Sequence, residues 1–199
     1  MTKLTVNEVK TLLENLDFSI LKKPEKDKGK RGKLLENALG IPNGTSLTDL
    51  EDGEIKSYKV GQTIAVTQLH HCLIDIIDYN IEFENTKIFK KMKCVIYVAY
   101  DRNGNYINWK VVDLKDNNEY CKKLKEDYEY ISKEIKIAYE YKNILKTITG
   151  PNKILQIRTK GSKNKKTNSY PKLIYNGHEL NHIHMAFYIC GSYGKALFL

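Results

Sequence analysis

The sequence predicts an α/β chain in which a mixed sheet is flanked by helices, and three observations carry that expectation. The run CVIYVAY (Cys94–Tyr100) reads as a buried strand. It is followed by an Asn103-Gly104 turn and an alternating segment over 106–112, which together predict a hairpin. Residues 117–145 switch to a period of 3.6, with Tyr120, Leu124, Tyr128, Ile131, Ile135 and Ala138 on one face of a long helix. Strand-like segments then return to the end of the chain, so both element types recur along 199 residues with no repeat and no dividing linker. That length suits one domain over 1–199, or two lobes sharing a cleft.

The elements follow in order. Thr5 with Glu8 forms a capping box ahead of Val6, Val9, Leu12, Leu13 and Leu16, which recur at helical spacing. Residues 22–32 are polar with two glycines and read as an exposed loop. Leu34, Leu35, Ala38 and Leu39 predict a second helix, closed by Gly40 and Pro42. Residues 43–52 are rich in turn formers. Ile55 and Ser57, then residues 60–69, look like two strands joined as a hairpin near Gly61. Gly150-Pro151 is expected to end the long helix. A short strand over 154–157, a basic loop over 159–171 and a last strand over 183–189 complete the reading.

Composition narrows the function. Hydrophobic content of 41% and charged content of 29% are ordinary for a globular protein. No stretch approaches the roughly 18 apolar residues of a membrane span. Residues 1–10 lack an apolar signal core, so a cytoplasmic location with no membrane partner is expected. Cys72, Cys94, Cys121 and Cys190 are scattered without a CxxC pair, as expected of reduced thiols rather than zinc or disulfide frameworks. The net charge is +9, and it is localised. Residues 141–178 contain nine cations and no acid, and residues 22–33 contain seven cations against Glu25 and Asp27. Two basic runs flanking an acid-rich segment suit a polyanion, because clustered cations displace counterions from phosphates.

The acid-rich segment Asp49-Leu-Glu-Asp-Gly-Glu54-Ile-Lys56 has a chemical logic. On a strand, Glu54 and Lys56 project to one face while Ile55 points into the core. Asp49 in the preceding turn can fold back onto the same spot, although Asp52 competes for that role. Carboxylates hold Mg²⁺, a hard cation that prefers oxygen ligands. A neighbouring lysine can orient or deprotonate an attacking water, which suits phosphodiester hydrolysis.

The run Lys28-Gly29-Lys30-Arg31-Gly32-Lys33-Leu34-Leu35-Glu36, followed by D-x4-E-x-K, resembles the opening of the MutH-type endonucleases. These comprise the mismatch-repair nicking enzyme and related type II restriction enzymes that cut at GATC. Two later blocks add to the resemblance. Ile148-Thr149-Gly150 with Leu155-Gln156-Ile157-Arg158-Thr159-Lys160-Gly161 looks like the family's base-reading strand, and Phe187-Tyr188 like its closing aromatic pair. The three blocks keep their order over about 160 residues, while residues 64–87 align poorly.

The resemblance implies a restriction-endonuclease-like fold, with two lobes around a DNA cleft, and Mg²⁺-dependent cleavage of double-stranded DNA at a GATC-like site. It implies that Asp49 and Glu54 bind the metal, that Glu36 is a helix-borne acid beside it, and that Lys56 is the catalytic lysine. Lys91 resembles a further active-site lysine, with Lys90 as the alternative. Lys28 beside Gly29 would contact phosphate. Arg158 and Lys160 would read base edges, Tyr188 would face the adenine, and Lys163, Lys165 and Lys166 would grip the backbone. The Asp49-to-Glu54 gap is shorter than the family pattern, so Asp52 stays open as the first carboxylate. Type II restriction is favoured over DNA repair, which would need an ATPase partner. Monomer and homodimer on DNA both stay open, and an inactive DNA-binding copy of the fold is the alternative reading.

A competing motif, His178-Glu179-Leu180-Asn181-His182, matches the HExxH signature of zinc peptidases. That chemistry needs both histidines one turn apart on a helix. Asn176-Gly177 signals a turn instead, and Ile183, Met185, Phe187 and Ile189 alternate as in a strand. His70-His71 reads as a structural or surface pair.

Overall fold

A computed structural model describes residues 2–21, 28–42, 47–164 and 166–197, leaving the side chains of 28–30 outside the described set. The architecture is mixed α/β, with two larger sheets and one small one. Its first element, α1 (Val6–Glu14), starts on the expected capping box: Thr5 and Glu8 satisfy each other's backbone amides. Helix α2 (Lys28–Ala38) begins earlier than expected, because the stretch containing Gly29 and Gly32 is helical rather than loop. It stops where the sequence said it would, at Gly40 with φ of +68°, and Ile41 donates back to the carbonyl of Glu36. Residues 22–27 and 43–46 of the expected loop and turn lie outside the described residues.

The first sheet joins β1 (Glu54–Lys59), β3 (Cys94–Tyr100) and β4 (Tyr106–Asp113) in the order β1-β3-β4. The β1–β3 pair is parallel and β3–β4 is the expected antiparallel hairpin. Strand β3 is buried along its whole length, and its alternation divides the interior in two. Cys94, Ile96, Val98 and Tyr100 pack with Val9 and Leu13 of α1, Leu35 of α2, Leu50 and Ile55. Val95, Tyr97 and Ala99 join the larger cluster with Leu124, Ile131 and Ile135, and with Leu155, Ile157, Phe187 and Ile189.

Those last residues belong to the second sheet, β2 (Ile64–Gln68), β9 (Met185–Ile189), β6 (Leu155–Thr159) and β5 (Ile148–Thr149), antiparallel throughout in the order β2-β9-β6-β5. The expected hairpin near Gly61 is therefore wrong. A turn does occur there, with Gly61 at φ of +81°, but it carries the chain from one sheet into the other. Tyr58 and Lys59 pair with Ala99 and Tyr100 of β3, and β2 pairs with β9 instead of folding back onto β1. A period-2 pattern shows that two strands exist and says nothing about which partners they choose.

The long helix α4 (Asn118–Glu140) buries the predicted face, and the Asn117 side chain caps it by accepting from the amide of Tyr120 at 3.1 Å. It ends well before Gly150-Pro151, at Lys142 with φ of +53°. Leu145 fits the helical period but is drawn elsewhere: its amide donates to Leu180 at 2.8 Å. The hairpin β7 (Leu173–Tyr175) and β8 (His178–Asn181) was not anticipated, nor were α3 (Lys87–Met92), α5 (Gly191–Ala196) and the π-helical turn Ile74–Asp78.

Candidate active site

Strand β1 starts on Glu54, opposite Val95 of β3, with Lys56 opposite Tyr97. Ile55 is buried toward α1 and α2, so Glu54 and Lys56 share the opposite face, as strand alternation requires. Glu54 is fully buried. Its two oxygens are taken by two lysines: Lys56 Nζ at 2.5 Å from Oε2 and Lys91 Nζ at 2.5 Å from Oε1. Lys56 also donates to Asp49 Oδ2 at 2.9 Å. Asp49 is brought in by a tight turn whose Leu50 is wholly buried and whose ends meet through the Leu50 amide and the Gly53 carbonyl, 3.0 Å apart. Gly53 is required there, since a Cβ would stand 2.7 Å from the Cys94 carbonyl oxygen and 2.7 Å from Val6.

Geometry places the two pairs of alternatives differently. Asp52 turns away and accepts the Val6 amide at 2.8 Å, bracing the start of α1, whereas Asp49 meets Lys56. Lys90 is exposed, whereas Lys91 in the last turn of α3 reaches Glu54.

Electrostatics separate the two carboxyls, which lie within hydrogen-bonding reach of each other. Burial pushes Glu54 up to about 7, aided by Asp49 and opposed by Lys56. Burial also works against Asp49, but the hydrogen bond with Glu54 and the charge of Lys56 outweigh it and hold Asp49 at about 2. Lys56 is disfavoured by burial yet kept charged by Glu54 and Asp49. Glu36 on α2 belongs to the same neighbourhood: burial raises its carboxyl first, Asp49 adds to that, and Lys56 and Lys33 oppose.

The donors gathered here are oxygens, which suits a hard cation. Among the described residues no three His, Cys, Asp or Glu side chains form a ready-made metal cage. Mg²⁺ does not require one, because it is usually held by one or two carboxylates, keeping several waters and taking phosphate oxygens. Asp49 and Glu54 fit that demand once their lysine partners give way.

The expected DNA contacts divide into groups. Arg158 on β6 is exposed and lies over the ring of Tyr188 on β9, 5.8 Å from its centroid. Lys160, one residue past β6, is half-buried, and its ammonium is pulled down by burial and then by the charge of Lys56. It therefore stands by the carboxylate cluster, although sequence reasoning paired it with Arg158 as a base reader. Lys163 and Lys166 are exposed on the following loop, and Lys165 lies outside the described residues. Lys28 and Gly29 open α2, with the Lys28 side chain outside the described set.

The HExxH motif is not helical. His178, Glu179 and Asn181 are on β8, His182 follows in a bend, and Glu179 pairs with Lys172 and His182. The His70-His71 pair, expected to be structural or on the surface, is exposed and is joined by His184 in a cluster beside Lys91 and Lys160. Nothing local signals that meeting, because it depends on how β9 enters the second sheet. No protein-family model matches this chain, and no curated protein is significantly similar to it. No helix among the described residues is long and apolar enough to cross a membrane.

Proposed function

We propose that this chain is a Mg²⁺-dependent endonuclease of double-stranded DNA with a restriction-endonuclease-like fold of MutH type. The observation that carries the reading is the buried Glu54 carboxylate, bonded to Lys56 and Lys91 and adjoining Asp49, at the end of a strand that leads out of the core. Burying a carboxylate costs several kcal/mol that its partners must offset, and a buried acid held by two lysines next to a second, partly exposed acid is the kind of site suited to chemistry.

In this reading Asp49 and Glu54 hold the metal and Glu36 adds negative charge from α2. Bound Mg²⁺ supplies positive charge to the phosphate oxygens and acidifies water. Lys56, kept charged by Glu54 and Asp49, orients the attacking water, and Lys91 holds Glu54 in place and faces the incoming phosphate. Arg158 and Tyr188 lie together on the face of the second sheet for base contact, with Lys163, Lys165 and Lys166 on the phosphate backbone. The site is GATC-like, and the chain acts alone, as a restriction enzyme does, without an activating ATPase.

Incubating unmodified plasmid with the protein in Mg²⁺ or in EDTA tests this. Discrete fragments that need Mg²⁺ and disappear in Glu54→Ala are expected. Binding without cutting would reassign the chain to an inactive DNA-binding module, and neither binding nor cutting would overturn the proposal altogether.

A further inference from the structure

A row of cationic and titratable groups leads away from the carboxylate cluster. Lys87 and Lys91 stand four residues apart on α3 and so share a face. Lys91 reaches Glu54, and Lys87 Nζ donates to the carbonyl of His71 at 2.7 Å. The His71 ring lies against His70, with centroids 3.8 Å apart, and His70 lies 5.6 Å from His184. The carbonyl of His184 accepts the amide of Lys160 at 2.6 Å. Three separate parts of the fold thus converge: α3, the turn after β2, and the adjoining ends of β6 and β9.

The row has a one-sided charge. The groups acting on His71 are Lys87, Lys91 and Lys160, those on His70 are His71 and His184, and the one on Lys160 is Lys56. No acid is among them. The acids of the underlying elements are engaged already: Glu54 is buried and bonded to Lys91 and Lys56, and Asp75 is buried with its carboxylate accepting the backbone amide of Lys87. His70 and His71 are nevertheless exposed, open to whatever lies over them. Beyond the Lys91–Glu54 pair, positive and titratable groups gather here at an open surface, and a polyanion relieves their mutual repulsion.

We propose that His70, His71 and His184, with Lys87 and Lys160, form a binding site for the phosphodiester backbone next to the carboxylate cluster. This rests on the endonuclease reading for the identity of the polyanion as duplex DNA. In the free protein burial, followed by neighbouring positive charges, holds His70 and His71 below the usual histidine range. A bound phosphate favours their charged forms, so binding takes up protons and tightens as pH falls toward 6. Each proton taken up is worth up to about tenfold in affinity per pH unit.

The test is duplex DNA binding in EDTA, where no metal supports cutting, across a salt series at pH 6 and pH 8. Wild-type affinity is expected to rise by roughly tenfold or more from pH 8 to pH 6. The variant His70→Gln/His71→Gln/His184→Gln should lose most of that rise, while His182→Gln, with its partner Glu179 on the β8 side, should keep it. Lys160→Gln, which leaves the histidines in place, should lower the salt slope by roughly one unit at both pH values. An unchanged pH response in the triple variant, an unchanged salt slope in Lys160→Gln, or no DNA binding at all overturns the site. Cleavage in Mg²⁺, measured separately, keeps the two proposals apart: a protein that binds in this pH-linked way yet never cuts retains the site and loses the nuclease.

Discussion

At the scale of single residues, the cluster makes its roles separable. Under the endonuclease reading, Glu54→Ala, Lys56→Ala and Asp49→Ala should each lower cleavage by on the order of a thousandfold, equivalent to about 4 kcal/mol of barrier. Duplex binding in EDTA should change little. Asp52→Ala should leave cleavage intact and lower stability by about 1 kcal/mol, because its carboxylate serves the first amide of α1. A dead Asp52→Ala beside an active Asp49→Ala would reverse that assignment. Metal binding can be read without activity. At a hundredfold excess over Kd, Mg²⁺ should stabilise the protein by about 2.7 kcal/mol, visible as a rise in Tm that Glu54→Ala abolishes. The shared face of Glu54 and Lys56 was legible because it follows strand alternation, which local sequence encodes, and the acid-rich turn before it placed Asp49 within reach. Choosing Asp49 over Asp52 was not legible. It depends on α1 returning to claim Asp52, a contact between parts of the chain far apart in sequence.

At the scale of elements, the base of β6 depends on one buried acid of α4. Asp127 is fully buried and accepts the amides of Asn152, Ile154 and Leu155 at 2.7, 2.8 and 2.9 Å. Gly150 completes the fit, since a Cβ there would come within 2.2 Å of the same carboxylate. Asp127→Ala would strand three amides and should cost roughly 3–5 kcal/mol, measurable as a lowered midpoint in urea with m unchanged. A loss below about 1 kcal/mol would mean that the turn holds itself. The periodicity of α4 revealed its buried face but hid this role, because Asp127 looks like one of the many solvated acids around it. Gly150-Pro151 carried a real signal too, misread as a helix terminator when it marks the turn between β5 and β6. Hairpins closed by compact turns, such as β3–β4, were legible from sequence. Pairings across the chain, such as β2–β9 and β1–β3, were not, because alternation fixes a face and leaves the partner open.

At the scale of the whole molecule, the link between the two sheets acquires a mechanical meaning. Lys59 ends β1 and Ile64 begins β2, so residues 60–63 alone join the strand bearing Glu54 and Lys56 to the sheet bearing Arg158 and Tyr188. Four residues reach about 14 Å when fully drawn out. Here they are pinned as well: Val60 donates to Tyr100 at 2.9 Å, and Gly191 sits so near that a Cβ on it would lie 2.5 Å from the Gly61 carbonyl oxygen. Ala65, just beyond the link, is the register partner of Tyr188. The link is a short, closed turn, with the Gln62 amide donating to the Lys59 carbonyl at 3.0 Å, so the strand bearing Glu54 and the strand paired with Tyr188 are held close in sequence and in space. Under the endonuclease reading, such a short link is expected to couple base contact at Tyr188 to the carboxylate cluster. Inserting two glycines between Gln62 and Thr63 should release it, narrowing the ratio of cleavage rates on cognate and singly mismatched duplexes while leaving their binding ratio unchanged.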